Sequence, residues 1–153
     1  MQKKVFILIA ILGMFISIFT IKYINKPKSY ELLFNWGISK EINNPERVEK
    51  ALKIFGDVDF KKLSQLESST GKYINYYEPF YNYKNHSFET IENIFKAMGH
   101  SDAADSDEIA TLIFNLYKKE DTQTIVQSVI NSKKEYKKIF DDIIEWYRSN
   151  NGL

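Results

Sequence analysis

The chain is 153 residues long, which suffices for one domain with an appendage and not for two full cores. Its 44% apolar and 15% aromatic content, with only 3 Pro and 6 Gly, excludes collagenous, low-complexity and broadly disordered classes. A net charge of +1 from 21 basic and 20 acidic groups gives no global pull towards nucleic acid, and the absence of Cys excludes a disulfide scaffold, an iron–sulfur cluster, a cysteine zinc site and a thiol nucleophile.

Residues 1–28 differ from everything that follows. Lys3 and Lys4 precede an uncharged run of 17 residues from Val5 to Ile21. At helical rise this run spans roughly 26 Å, and Lys22, Tyr23 and Ile24 bring it to about 30 Å, the thickness of a hydrocarbon core. Lys22 would snorkel outward and Tyr23 would sit among the headgroups. The run is long for the core of a secretory signal, and Ser17–Ile21 offers no small–x–small triplet for cleavage. An uncleaved signal anchor is therefore expected, with residues 5–24 in the bilayer. A cleaved signal and a buried N-terminal helix are the competing readings. Flanking lysines are nearly balanced, so orientation rests on the short N-terminal tail, which favours an extracytoplasmic domain.

After Pro27 the pattern is helical throughout. A first amphipathic helix is expected over about Tyr30–Ile42, with Leu32, Leu33, Trp36 and Ile38 inward. Asn44 and Pro45 form a start signal for a helix carrying Val48, Ala51, Leu52 and Phe55, stopped by Gly56. A short helix from Asp59 to about Ser68 should bury Phe60, Leu63 and Leu66. Residues 73–83 crowd Tyr73, Tyr76, Tyr77, Phe80, Tyr81 and Tyr83 around Pro79, which fits a short helix broken at Pro79 or an extended loop. Ser87 caps a helix through Ile91, Ile94, Phe95 and Met98, closed by Gly99. An acidic linker, Ser101–Ser106, then leads to a helix capped by Asp105 or Ser106 and carrying Ile109, Leu112, Ile113, Leu116 and Tyr117. The last segment, Thr122–Ser149, offers Ile125, Val129, Tyr136, Ile139, Phe140, Ile143 and Trp146 inward, with a break or kink at Asn131–Lys134. No window alternates as a strand would, so the class is all-α: a membrane anchor and linker over 1–28, then a helical domain over 29–153.

Residues 46–59 and 89–102 align without gaps at an offset of 43, sharing two Glu, a Lys, the Gly and the final Asp. The offset lies in the range of two-helix solenoid repeats, and the stretch 51–66 resembles a HEAT-type helix–turn–helix. No third copy is visible. An irregular bundle of about five to seven helices is the expected architecture, and a short HEAT-like solenoid the alternative.

All 20 acidic residues follow position 28, against 16 of the 21 basic ones. Asp102, Asp105, Asp107 and Glu108 form a candidate acidic patch, readable either as a capped helix start or as a docking site for a basic partner. Only Arg47 and Arg148 are Arg, which argues against bidentate base or phosphate recognition.

Chemistry is sparse. His86 and His100 do not fill a metal-ligand pattern, and His86 reads as a surface residue before a helix cap. The acidic run lacks the spacing, Gly and closing Glu of a calcium loop. Ser69–Lys72 contains Ser-x-x-Lys without the companion elements of a serine–lysine hydrolase. No nucleotide-binding glycine motif occurs. No catalytic, metal or cofactor residue is assigned. Tyr76, Tyr77, Phe80, Tyr81 and Tyr83 are the candidate partner-binding set, because Tyr offers large contact area at low entropic cost. The expected function is a membrane-anchored, extracytoplasmic helical binding protein, non-catalytic, of the small inhibitor, immunity or adaptor type. Its partners would be the lipid bilayer and another protein, not nucleic acid or nucleotide, and its location a bacterial inner membrane, single-pass, with the domain periplasmic or extracellular. A subunit or assembly factor of an envelope complex and an unrecognised hydrolase are the alternatives.

Overall fold

The computed structural model describes residues 28–151, and the expected anchor, with Val5, Ile21, Lys22 and Tyr23, lies outside them. Among the described residues there are eight helices and no strand. None of these helices is long and apolar enough to cross a membrane.

Helix α1 (Ser29–Gly37) opens with the Glu31 carboxylate accepting the Lys28 backbone N–H at 3.3 Å. It is shorter than its pattern implied, and it buries Leu33, Phe34 and Trp36. Leu32 and Ile38 are each 41% exposed, contrary to their inward assignment. Neighbouring residues point about 100° apart on a helix, so once Leu33 and Phe34 face the core Leu32 is left at its edge.

Helix α2 (Pro45–Phe55) begins as expected, with Asn44 Oδ1 accepting from the N–H groups of Glu46 and Arg47 and Pro45 at the first helical position. It buries Val48, Ala51, Leu52 and Phe55. Helix α3 (Phe60–Thr70) is capped by Asp59, whose Oδ1 accepts from Lys62 N–H at 3.1 Å. Gly71 ends it in the left-handed region at φ 65°, a conformation that suits glycine.

Helix α4 (Tyr77–Asn82) contains Pro79 rather than breaking there. Pro79 is its third residue, and a first-turn N–H has no intrahelical acceptor to lose. Helix α5 (Phe88–Met98) starts with a reciprocal cap: Thr90 N–H donates to Ser87 Oγ, and Ser87 N–H to Thr90 Oγ1. It packs against α2, and also against the three helices that follow it: α6 (Ala103–Lys118), α7 (Glu120–Ser132) and α8 (Lys134–Asn151). This central position explains why Thr90, Ile91, Asn93, Ile94, Phe95 and Ala97 are all buried on α5.

The supposed acidic linker is the first turn of α6. Asp102 caps it, its Oδ1 accepting from Asp105 N–H at 3.2 Å, so neither Asp105 nor Ser106 is the cap. The last segment divides into α7 and α8 at an extended Lys133 (φ −144°, ψ 143°), the break expected within Asn131–Lys134. Trp146 is 39% exposed, which corrects its inward assignment. It lies near the end of α8, where Phe114 stacks on the neighbouring Tyr147 at 3.9 Å and takes the core-facing direction.

The 43-residue offset is kept by whole elements. Helices α2 and α5 are both 11 residues long, start after Asn44 and Ser87, and stop at Gly56 and Gly99. The following caps, Asp59 and Asp102, keep the same offset, and α2 packs directly on α5. One continuous core joins residues from every helix, α1 through α8.

Candidate functional site

Two sequence features that read as separate sites meet in space. Residues 105, 108, 112, 115 and 119 recur at three- and four-residue steps, so they form one stripe along α6 and its C-terminal edge. Helix α4 packs on α6, and the chain just before α4 reaches the same helix. The Tyr76 hydroxyl donates to Asp105 Oδ1 at 2.9 Å, beside Glu108. About two turns beyond Glu108, Asn115 Nδ2 donates to the Tyr77 hydroxyl oxygen at 2.6 Å. At the far end Lys119 Nζ donates to the Tyr81 carbonyl at 3.0 Å and lies 5.1 Å from the centre of its ring. Leu112 fills the middle of the stripe and is fully buried.

The aromatic set therefore divides. Tyr76, Phe80 and Tyr83 are core residues, which removes three of the five candidates from the partner-accessible surface. Phe80 stacks on Trp36 at 5.2 Å and meets Phe55 edge-on at 5.0 Å, so helices α1 and α2 cover what the local sequence left open. Tyr77 and Tyr81 are half-buried and lie parallel, with ring centroids 6.0 Å apart and an interplanar angle of 10°. Tyr73, outside the candidate set, is the most exposed ring, at 79%.

The acidic set divides too. Asp102 caps α6 and accepts from the Ser64 hydroxyl at 3.4 Å. Burial pushes the Asp105 carboxyl up to about 6, with the Asp102 and Glu67 charges adding to the rise against the Tyr76 hydrogen bond. Glu108 is raised by burial and by Glu67. The Tyr76 hydroxyl is pushed far up, first by burial and then by Asp105 and Glu108, which keeps it protonated and donating. Asp107 alone of the four is exposed. Three of the four acids are thus engaged in capping α6 or surrounding Tyr76, which fits their reading as a capped helix start.

His86 is buried, not a surface residue. Its Nε2–H donates to the Phe80 carbonyl at 2.9 Å, and Tyr83 meets its ring edge-on at 5.3 Å. Its Nδ1 has no hydrogen-bond partner among the described residues. Burial lowers its pKa to about 4, with a further push from Lys119. Asn115, Lys119 and His86 are the residues that sequence reasoning missed here. The 105–119 stripe was a legible signal for the first two, whereas the burial of His86 depends on contacts with α4 and carries no local mark.

Among the described residues no group of three or more His, Asp or Glu side chains is arranged to hold a metal ion. Compared with known proteins, the chain matches no family model, no curated protein and no solved structure.

Proposed function

We propose that the chain is a membrane-anchored, non-catalytic binding protein whose helical domain stands on the extracytoplasmic side and engages another protein, as a small inhibitor of the immunity type or an adaptor. The domain is read as an irregular bundle with one helix-pair repeat embedded in it, since α7 and α8 do not continue the 43-residue offset. The observation that carries the binding reading is the parallel Tyr77–Tyr81 pair. Its rings are half-exposed and their placement is set by Asn115 and Lys119. Rings already held in place lose little freedom on binding, and Tyr is a frequent energetic anchor of protein interfaces.

The test is an affinity pull-down from native membranes with the full chain and with a Tyr77→Ala, Tyr81→Ala double variant. Partner recovery should fall by the equivalent of about 2 kcal/mol or more while helicity is kept. A folded double variant that retains its partner in full would remove this surface from the reading. Loss of function on exchanging residues 1–28 for an unrelated anchor would favour the envelope-complex subunit instead.

A further inference from the structure

Helices α1 and α2 converge on a groove of about 450 Å³ lined by Leu32, Asn35, Trp36, Arg47, Lys50 and Ile54. On α1 the exposed side carries Lys28, Leu32 and Asn35 at four- and three-residue steps. On α2 the facing wall carries Arg47, Lys50 and Ile54 at three- and four-residue steps. Leu32, which lines the groove with Arg47 and Lys50, is a large aliphatic residue left 41% exposed. At the floor of the groove Trp36 is buried, and its Nε1–H has no acceptor among the described residues.

We propose that this α1–α2 face lies against an anionic bilayer surface, with Leu32 dipping among the headgroups and Lys28, Arg47 and Lys50 over lipid phosphates. The inference rests on the membrane anchor proposed above and adds to it which side of the domain faces the lipid.

Chain length carries the first part of the argument. Between Ile24, the last residue of the expected span, and Ser29, the first of α1, only residues 25–28 intervene. Fully extended, the five Cα steps from Ile24 to Ser29 reach about 17 Å. A helix with its side chains is about 10–12 Å across, and the headgroup layer adds roughly 5–8 Å beyond the hydrocarbon. Helix α1 is therefore held within about one helix diameter of the headgroups whatever the domain does.

Charge carries the second part. After position 28 the chain has 20 acidic against 16 basic residues, so an anionic surface repels the domain as a whole. The groove is lined by Arg47 and Lys50 with no acidic residue, which makes it the orientation that an anionic surface attracts. Arg47 is already paired with Glu41 at 2.7 Å, in a half-exposed contact that solvent weakens and a phosphate can replace.

The chain has no Cys, so single cysteines introduced for labelling report one position each. Full-length protein carrying an environment-sensitive fluorophore at Leu32→Cys, or at Gln127→Cys on α7 as control, is reconstituted in vesicles of phosphatidylcholine and phosphatidylglycerol. A headgroup-attached nitroxide lipid should quench the Leu32 label several-fold more than the Gln127 label. Lys28→Glu with Lys50→Glu, or vesicles of phosphatidylcholine alone, should abolish the difference. Equal quenching at both positions in carbonate-resistant vesicles would overturn the inference and leave the anchor standing. Protection of the Leu32 label from both the lipid quencher and aqueous iodide would put a second copy or the leading segment of the chain in the groove, and would equally overturn it. Extraction of the chain by carbonate would bring down the anchor and this inference together.

Discussion

The Tyr76 hydroxyl and Asp105 Oδ1, 29 residues apart in sequence, are 2.9 Å apart in space, and this bond ties the aromatic segment to the first turn of α6. It sits where burial and neighbouring acids disfavour an anion, so Asp105 holds its proton to about pH 6 instead of the ordinary 3.8. Between those values the folded chain binds more protons than the unfolded one, and stability falls as pH rises through the window. Asp105→Asn keeps an acceptor for Tyr76 without the charge. It should be more stable than the wild type at pH 7 by about 1–2 kcal/mol, after allowance for partial exposure. Denaturant titrations at pH 7 and pH 4 check this, because the advantage should close on acidification. A variant weaker than the wild type at pH 7 would mean that the anion stabilises the start of α6.

His86 has the opposite sign. Its folded value of about 4 lies below the ordinary 6.5, so the unfolded chain binds the extra proton and stability is lost as pH falls through that window. The loss should reach about 2–3 kcal/mol by pH 4. In His86→Gln the side-chain amide can still donate to the Phe80 carbonyl and nothing titrates. Its melting temperature should therefore fall less than that of the wild type between pH 6.5 and pH 4. Parallel acid profiles for the two proteins would show that His86 is more accessible than its packing against Phe80 and Tyr83 implies.

Core and surface aromatics should separate cleanly on truncation. Phe55 is fully buried and touches the rings of Phe60, Tyr76 and Phe80, so Phe55→Ala should cost about 3–5 kcal/mol. Trp146 is 39% exposed and its nearest ring is its neighbour Tyr147, so Trp146→Ala should cost below about 1.5 kcal/mol. Urea midpoints at constant slope measure both. A Trp146→Ala variant as damaged as Phe55→Ala would return Trp146 to the core.

Gly37 is a matter of space rather than backbone freedom, since Gly71 is the glycine with positive φ among the described residues. A Cβ on Gly37 would lie 2.4 Å from Ile74 Cγ2, and Ile74 is itself buried. Gly37→Ala should therefore cost about 1–3 kcal/mol through overpacking. Ile74→Ala in the same chain should recover part of that cost, a coupling that a double-mutant cycle reads directly.

Much of the local structure was legible because its causes are local. Asn44 with Pro45 marked the start of α2, Ser87 the start of α5, and the Gly56 and Gly99 stops fell where the apolar steps ended. Errors gathered where the deciding contact is distant. Leu32 and Trp146 keep helical spacing with core residues, yet their sides of α1 and α8 are left uncovered. His86 looks like a polar residue ahead of a cap and is buried because α4 delivers the Phe80 carbonyl to its Nε2.

The all-α class and the caps and periodic core of α2 and α5 are written in the sequence, because each depends on residues within a turn or two of one another, and aligning the two helices gives their 43-residue offset. That the tyrosine cluster meets the acidic patch, at Tyr76 with Asp105 and Glu108, is settled by tertiary packing. The spacing of 105, 108, 112, 115 and 119 states that these residues share a side of α6, but not what covers it. Packing of α4 and its preceding segment against that side takes up Tyr76, Asp105 and Glu108 and leaves Tyr77 and Tyr81 half in solvent. Burying a polar group costs free energy unless a partner meets it, and here the partners come from segments about 30 to 40 residues apart.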